Sequence, residues 1–306
     1  NIDRSKVLNY YTTKIAGMAV KLTDEEFDKL AKDENVEAID FDRIVQLPEF
    51  EVETVTTESD AQRAPQTTPC GINRAGGYTN ASGNTWVWVI DTGIDLDHPD
   101  LNVVTNSTYA KSFAGGSAND CNGHGTHVAG TAVGNYGVMA ERDGAEAEIS
   151  GVAPAAYLMV YKGLYATPAN PASSSGASSM LLSMLEAALT DGADIVNNSW
   201  GGGAGGNPNG SIYEDVLEAM HDAGVVTVFA AGNDGPNEGT IGCPGCSEDV
   251  ITVANTTTGR LFANEVTIEG DTTIGSIPAL YSVGNPAIVF DSPITAPVVY
   301  AGEVDA

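Results

Sequence analysis

A chain of 306 residues is long enough for one large domain with a smaller companion. With 13 Lys+Arg against 41 Asp+Glu, its formal net charge of −28 repels nucleic acid and anionic membranes and excludes both as partners. No apolar run approaches the roughly 20 residues of a membrane span, and the N-terminus, "NIDRSKVLNYYTTK", lacks the charged-then-apolar pattern of a secretion signal.

In chain order, "VLNYYTTKIAGMAVKL" is strand-like. "TDEEFDKLAKDE" opens with Thr23 and Glu26, a capping box, and sets Phe27, Leu30 and Ala31 on one helical face. "VEAIDFD" and "RIVQL" are strand-like again, so residues 1–50 read as a small α+β unit. Residues 51–70 are polar and aperiodic and read as an exposed linker. In residues 71–258 the apolar strands "TWVWVID", "AYLMVYKGL", "ADIVNNSWG", "VVTVFAAGND" and "DVITVANT" alternate with the helical stretches "HVAGTAV", "SSMLLSMLEAALTDG" and "SIYEDVLEAMHDAG". Ser211 and Glu214 predict a second capping box, and Gly224 a helix stop. Continuous apolar strands between helices predict an α/β fold, a parallel sheet covered on both faces. Ligands of such sheets bind at the carboxyl ends of the strands. Residues 259–306 are Val/Ile/Thr-rich, without helical period, and read as a separate β segment.

Four cysteines allow three pairings. The Cys243-Pro-Gly-Cys246 stretch has no second such pair and no histidine nearby, which argues against structural zinc. It lies in a Gly/Pro loop and does not open a helix after a strand, which argues against a thioredoxin-type motif. The reading favoured is two structural disulfides, Cys70–Cys121 and Cys243–Cys246, in an oxidising compartment.

Three strand ends carry polar residues that no core requires. Asp91 ends "VWVID"; alone it could be a turn aspartate. His124 lies between Gly123 and Gly125 at the opening of a helix, and His127 follows on the same face; a structural histidine or a metal-binding HxxH pair are the alternatives. Asn233 follows "FAAG", where Asn-Asp-Gly alone is a turn. Together they suggest proton-transfer chemistry. A buried carboxylate fixes a histidine tautomer, the histidine deprotonates a nucleophile, and an amide stabilises the developing oxyanion.

Asp91 within "VIDTGID", His124 within "NGHGTHVAG", "NNSWGG" and Asn233 within "AAGNDG" resemble the motif set of subtilisin-like serine proteases, in order and spacing, over residues 84–255. The resemblance implies a subtilisin-like fold and a secreted endopeptidase that acts on protein or peptide substrates without a catalytic cofactor. It makes Asp91 the triad acid, His124 the base and Asn233 the oxyanion donor, and it makes His127 structural. Ser199, Trp200 and Gly201 resemble the segment that pairs with an extended substrate backbone. Ala230, Ala231 and Gly232 would line the pocket for the side chain before the scissile bond. Residues 1–50 look like the family's propeptide, an intramolecular inhibitor, with the maturation cleavage in the linker. The segment from 259 resembles the start of an inserted protease-associated domain. Asp100 matches a position that binds structural calcium in many members, although the companion loop here carries an acidic insertion, "GNYGVMAERDGAEAEISGVAP".

The family's nucleophile lies in Gly-Thr-Ser-Met-Ala-x-Pro at the start of a helix, and no Gly-Thr-Ser occurs here. Gly275-Ser276 is the nearest imitation, but Pro278 and strand-like neighbours give it no helix. The expectation is therefore a truncated zymogen whose serine lies beyond Ala306. A catalytically inactive, peptide-binding relative is the alternative.

Overall fold

The computed structural model describes residues 2–13, 15–47, 70–79, 81, 85–142, 145–167, 170–208, 211–255, 264–267 and 276–279; for residues 70, 138–142, 145–148, 167, 170–172, 264–267 and 276–279 it describes the backbone alone. Residues 48–69, which hold the expected linker and maturation site, lie outside this set.

β1 (Val7–Tyr11) and β2 (Gly17–Val20) form an antiparallel hairpin. α1 (Asp24–Leu30) begins at Thr23, where the Glu26 carboxylate accepts from Thr23 N at 2.9 Å and Thr23 Oγ1 accepts from Glu26 N at 3.3 Å. The strand-like "VEAIDFD" is irregular, whereas "RIVQL" holds β3 (Ile44–Gln46). Then follow α2 (Cys70–Arg74), β4 (Trp86–Asp91), β5 (Ala110–Ser112), α3 (His124–Val133), β6 (Val138–Arg142), β7 (Ala145–Ile149), β8 (Tyr157–Lys162), β9 (Tyr165–Thr167) and β10 (Asn170–Ala177). α4 (Ser178–Thr190), β11 (Ile195–Asn198), α5 (Glu214–Asp222), β12 (Val226–Ala230) and β13 (Ile251–Val253) complete a unit spanning Asn1–Asn255. A second unit, Thr256–Ala306, contains the antiparallel pair β14 (Asn264–Thr267) and β15 (Ser276–Ala279); Ser276 is therefore on a strand.

The main sheet has the order β13-β12-β11-β4-β8-β5, and every neighbouring pair is parallel. Strand alternation sorts its side chains into two cores. Val87, Val89, Leu158 and Val160 meet Ala129 and Val133 of α3. Trp88, Ile90, Met159, Tyr161 and Phe229 meet Leu181 and Leu185 of α4 and Leu217 and Met220 of α5. Both faces are covered, which is why these strands read as unbroken apolar runs. By the same alternation, Asp91 at the end of β4 faces α3.

The N-terminal segment packs on the second core, with Tyr11 and Leu47 buried in it. β3 pairs antiparallel with β10, Ile44 opposite Ala177 and Gln46 opposite Ser175, and Leu47 N donates to Ser174 O at 3.0 Å. β10, "NPASSSGA", carries little strand propensity; it is a strand because β3 and β9 flank it. The acidic insertion forms the β6–β7 hairpin.

Two expectations need correction. Ser211 does not cap α5: the helix starts at Glu214 with Tyr213 at its N-cap position, and the Glu214 carboxylate accepts from Ser247 Oγ at 3.1 Å instead of reaching back. Cys121 is a free thiol, so it makes no bridge to Cys70, whose side chain is outside those described. Cys243 and Cys246 are bonded to each other.

Candidate active site

Asp91 is fully buried at the carboxyl end of β4. Its Oδ1 accepts from Thr92 N at 2.7 Å, and its two oxygens lie 2.7 and 2.9 Å from His124 Nδ1. His124, the first residue of α3, keeps its side chain partly exposed. The helix comes this close because residue 125 has no side chain. A Cβ there would overlap the Gly93 carbonyl and lie 3.1 Å from Asp91 Cβ. Burial alone would push the imidazole down; the hydrogen bond and charge of Asp91, with Asp120 behind them, carry it above its ordinary value. Burial raises the Asp91 carboxyl, against the bonds from His124 and Thr92 N.

The start of α3 is held by residues that the motif reading missed. A helix leaves four N–H groups without intrahelical partners, and Gly123 at the N-cap position has no side chain to offer. Asn122 Oδ1 accepts from His124 N at 3.2 Å, Thr92 Oγ1 from Gly125 N at 2.9 Å, and Asp120 Oδ2 from Thr126 N at 3.0 Å. His127 N, next along, makes the first intrahelical bond, to Gly123 O. Thr92 Oγ1 also donates to Asp120 Oδ1 at 2.9 Å, so the strand bearing the acid and the helix bearing the base share one network. Lys162, buried and level with Asp91 on β8, donates to Asn119 O at 2.6 Å and steadies the loop that delivers Asp120. The sequence signal was the density of Asp, Asn and Thr around the histidine, but which amide each one caps is a tertiary fact.

The other candidates lie along the same edge. Val89 pairs with Asn197, and Asn197 with Val228, so Asp91 and Ala230 are level, two strands apart. Ser199, Trp200 and Gly201 continue from β11 between them. The Trp200 side chain is buried against Phe229 and Tyr213. Ala231 N donates to Val253 O at 2.9 Å, and the exposed Gly232 and Asn233 follow. His127, expected to pack, is exposed, because its position on α3 turns away from the sheet.

Asp100 is half-buried, and its Oδ1 is buried without a partner. Burial pushes its carboxyl up to about 6, with Asn135 N and His98 opposing. Calcium takes 6–8 oxygens; among the described residues Asp100, the possible calcium ligand, belongs to no group of three or more His, Cys, Asp or Glu, and the side chains of residues 138–148 in the companion loop lie outside that set. Without a cation beside it the carboxylate costs stability when it ionises, a cost that grows as pH rises from 3.8 towards about 6. Asp100→Asn is expected to raise Tm at pH 8 by the equivalent of about 1 kcal/mol, allowing for solvent screening, with no gain below pH 4. Thermal unfolding of both proteins across that range measures it.

Residues 82–304 match the family model "Subtilase family", and residues 1–48 match "Peptidase inhibitor I9". Subtilisin of Bacillus sp. (strain TA39) is 30% identical over 251 residues, covering 78% of this chain and 56% of that protein. Minor extracellular protease Vpr of Bacillus subtilis (strain 168) is 31% identical over 269 residues, covering 83% and 31%. Subtilisin DY of Bacillus licheniformis is 38% identical over 199 residues, covering 61% and 64%. The chain thus spans less than two thirds of the length of each of these relatives. Among solved structures, "S41 Psychrophilic Protease" gives a TM-score of 0.48 at 32% identity, covering 62% of this chain and 61% of that one.

Proposed function

The chain belongs to the subtilase family, and from that premise we propose that the whole protein is a secreted serine endopeptidase whose N-terminal segment holds it as a zymogen. The observation that carries the reading is the Asp91–His124 pair, a buried carboxylate on the inner nitrogen of a partly exposed imidazole. This arrangement fixes the tautomer in which Nε2 can take a proton from a nucleophile. With no Gly-Thr-Ser in these residues, we assign the nucleophile to chain outside them. Asn233, on the same rim, would donate to the oxyanion, and segments 199–201 and 230–232 would bind the substrate on either side of it. Names such as "Minor extracellular protease Vpr" support secretion. No helix among the described residues is long and apolar enough to cross a membrane.

Residues 1–47 would act as the inhibitor, with β3 occupying the edge of β10 as a peptide would. The test uses the full-length protein with an unstructured peptide and a serine-directed sulfonyl fluoride. Hydrolysis that the reagent abolishes supports the reading. Peptide binding without hydrolysis or labelling, after removal of residues 1–47, would establish a scaffold instead. Within the active protein, Asn233→Ala is expected to lower kcat by about 10²–10³, the size found for the oxyanion asparagine of subtilisin, with KM little changed. Steady-state kinetics on the same peptide measure it.

A further inference from the structure

The Cys243–Cys246 ring lies between the two segments assigned to substrate binding, and the inference drawn from it rests on that assignment. On one side Gly202 N donates to Cys243 O at 2.7 Å and Gly206 N to Ile241 O at 3.0 Å. On the other, Gly242 N donates to Ala231 O at 3.2 Å. Contact is close enough to demand glycine. A Cβ on Gly206 would sit 2.6 Å from both the nitrogen and Sγ of Cys243, one on Gly242 would overlap Gly202 O, and one on Gly245 would lie 2.7 Å from Ala230 O. The Thr252 hydroxyl donates to Gly245 O, tying the ring to β13 as well. The loop therefore sets how the backbone after β11 stands relative to the end of β12.

A disulfide across a sequence separation of 3 closes a loop too short to gain much from chain entropy. Its main effect is then local. Both cysteines are partly exposed, so a thiol can reach them. The Asp91–His124 pair is held elsewhere, through Thr92, Asp120 and Asn122.

We propose that Cys243–Cys246 is a reducible staple of the substrate-binding edge, opened by a dithiol, and that opening it weakens the binding of extended peptides without disabling proton transfer at His124. In the exchange, a reagent thiolate attacks the sulfur of one cysteine, forming a mixed disulfide with it and releasing the other cysteine as a thiolate. The reagent's second thiol then attacks the reagent sulfur of that mixed disulfide and displaces the first cysteine. The protein gains two thiols, and the dithiol leaves as a cyclic disulfide. Cys243 and Cys246 are in this sense positioning residues, acting through Gly202, Gly206 and Ala231.

The test takes the active full-length protein with and without dithiothreitol, and the variant C243S/C246S. Kinetics are read on an extended unstructured peptide and on a minimal acyl ester that does not span the edge. Thiols are counted by mass after alkylation. Reduction is expected to raise KM for the peptide by about five- to tenfold, the size of one lost hydrogen bond. The kcat for the peptide, the ester kinetics and Tm should stay close to the starting values, and reoxidation should restore KM. C243S/C246S should show the raised KM and no response to the reagent, which separates this bond from Cys70 and Cys121. An unchanged KM with the two thiols counted, or equal losses on both substrates with a fallen Tm, would overturn the proposal. If the oxidised protein hydrolyses neither substrate, the protease reading fails. The staple is then judged by anisotropy of a labelled peptide in the two redox states: equal affinities reject it, and weaker binding after reduction sustains it.

Discussion

In the full-length protein, His124→Ala is expected to lower kcat by about 10⁶-fold, the loss found when the same base is removed from subtilisin, a relative of this chain. On the proposed mechanism the imidazole is the group through which a nucleophile would lose its proton, and its neighbour Asp91 is no substitute, being buried behind it with both oxygens engaged. His127→Ala should behave differently. Its side chain is exposed one turn along α3, so the change should stay within about 0.5 kcal/mol in stability and leave turnover near normal. As the proposed base, the imidazole would work in its neutral form, and Asp91 raises its proton affinity. Activity should therefore fall as pH drops through a midpoint above the ordinary 6.5 of histidine. Turnover of an unstructured peptide by the three proteins, with a pH profile of the wild type, decides the matter. An inactive His127→Ala beside an active His124→Ala would reverse the roles.

Asp42→Ala is expected to weaken inhibition by the N-terminal segment roughly 5- to 30-fold, or about 1–2 kcal/mol, for the loss of a helix cap and its charge-assisted bonds. α4 begins after Ala177, which has no capping side chain. The N-terminal segment supplies what is missing. Asp42 Oδ1 accepts from Ser179 N at 2.9 Å and Ser178 Oγ at 3.0 Å, Asp42 Oδ2 from Ser179 Oγ at 2.7 Å, and Arg43 O from Ser178 N at 2.8 Å. Tyr11 adds a buried bond from its hydroxyl to Ser179 O at 2.8 Å. Adding the segment in trans to enzyme from which it has been removed, as wild type and as Asp42→Ala, gives the inhibition constants. Equal constants would show that the cap contributes nothing to docking.

The parts of this molecule that were legible in the sequence are those whose residues speak for themselves. β4, β8, β11 and β12 announce themselves as apolar runs because the sheet is covered on both faces. Asp91 and His124 stand out because polar side chains at such strand and helix ends have no packing role. What escaped depended on distant partners. β10 has no strand propensity to read, and its pairing with β3 spans more than a hundred residues of chain. Asp120 caps an amide through a loop geometry that no spacing rule contains. At Ser211 the local signal was present but lost to Ser247, which took the Glu214 carboxylate. Cys121 was assigned a bridge by elimination among four cysteines, and elimination says nothing of distance.

β10 has one more consequence, for solubility. If residues 1–47 depart on maturation, the backbone groups of Ser175–Ala177 that now face β3 are left bare. An open strand edge invites a second copy to add to it. "NPASSSGA" answers that risk through its side chains: it has no large apolar residue to zip against a neighbour, and Pro171 interrupts the ladder. The same plainness that hid this strand from the sequence reading lets the bared edge stay in solution, open to a passing peptide and unattractive to another molecule of its own kind.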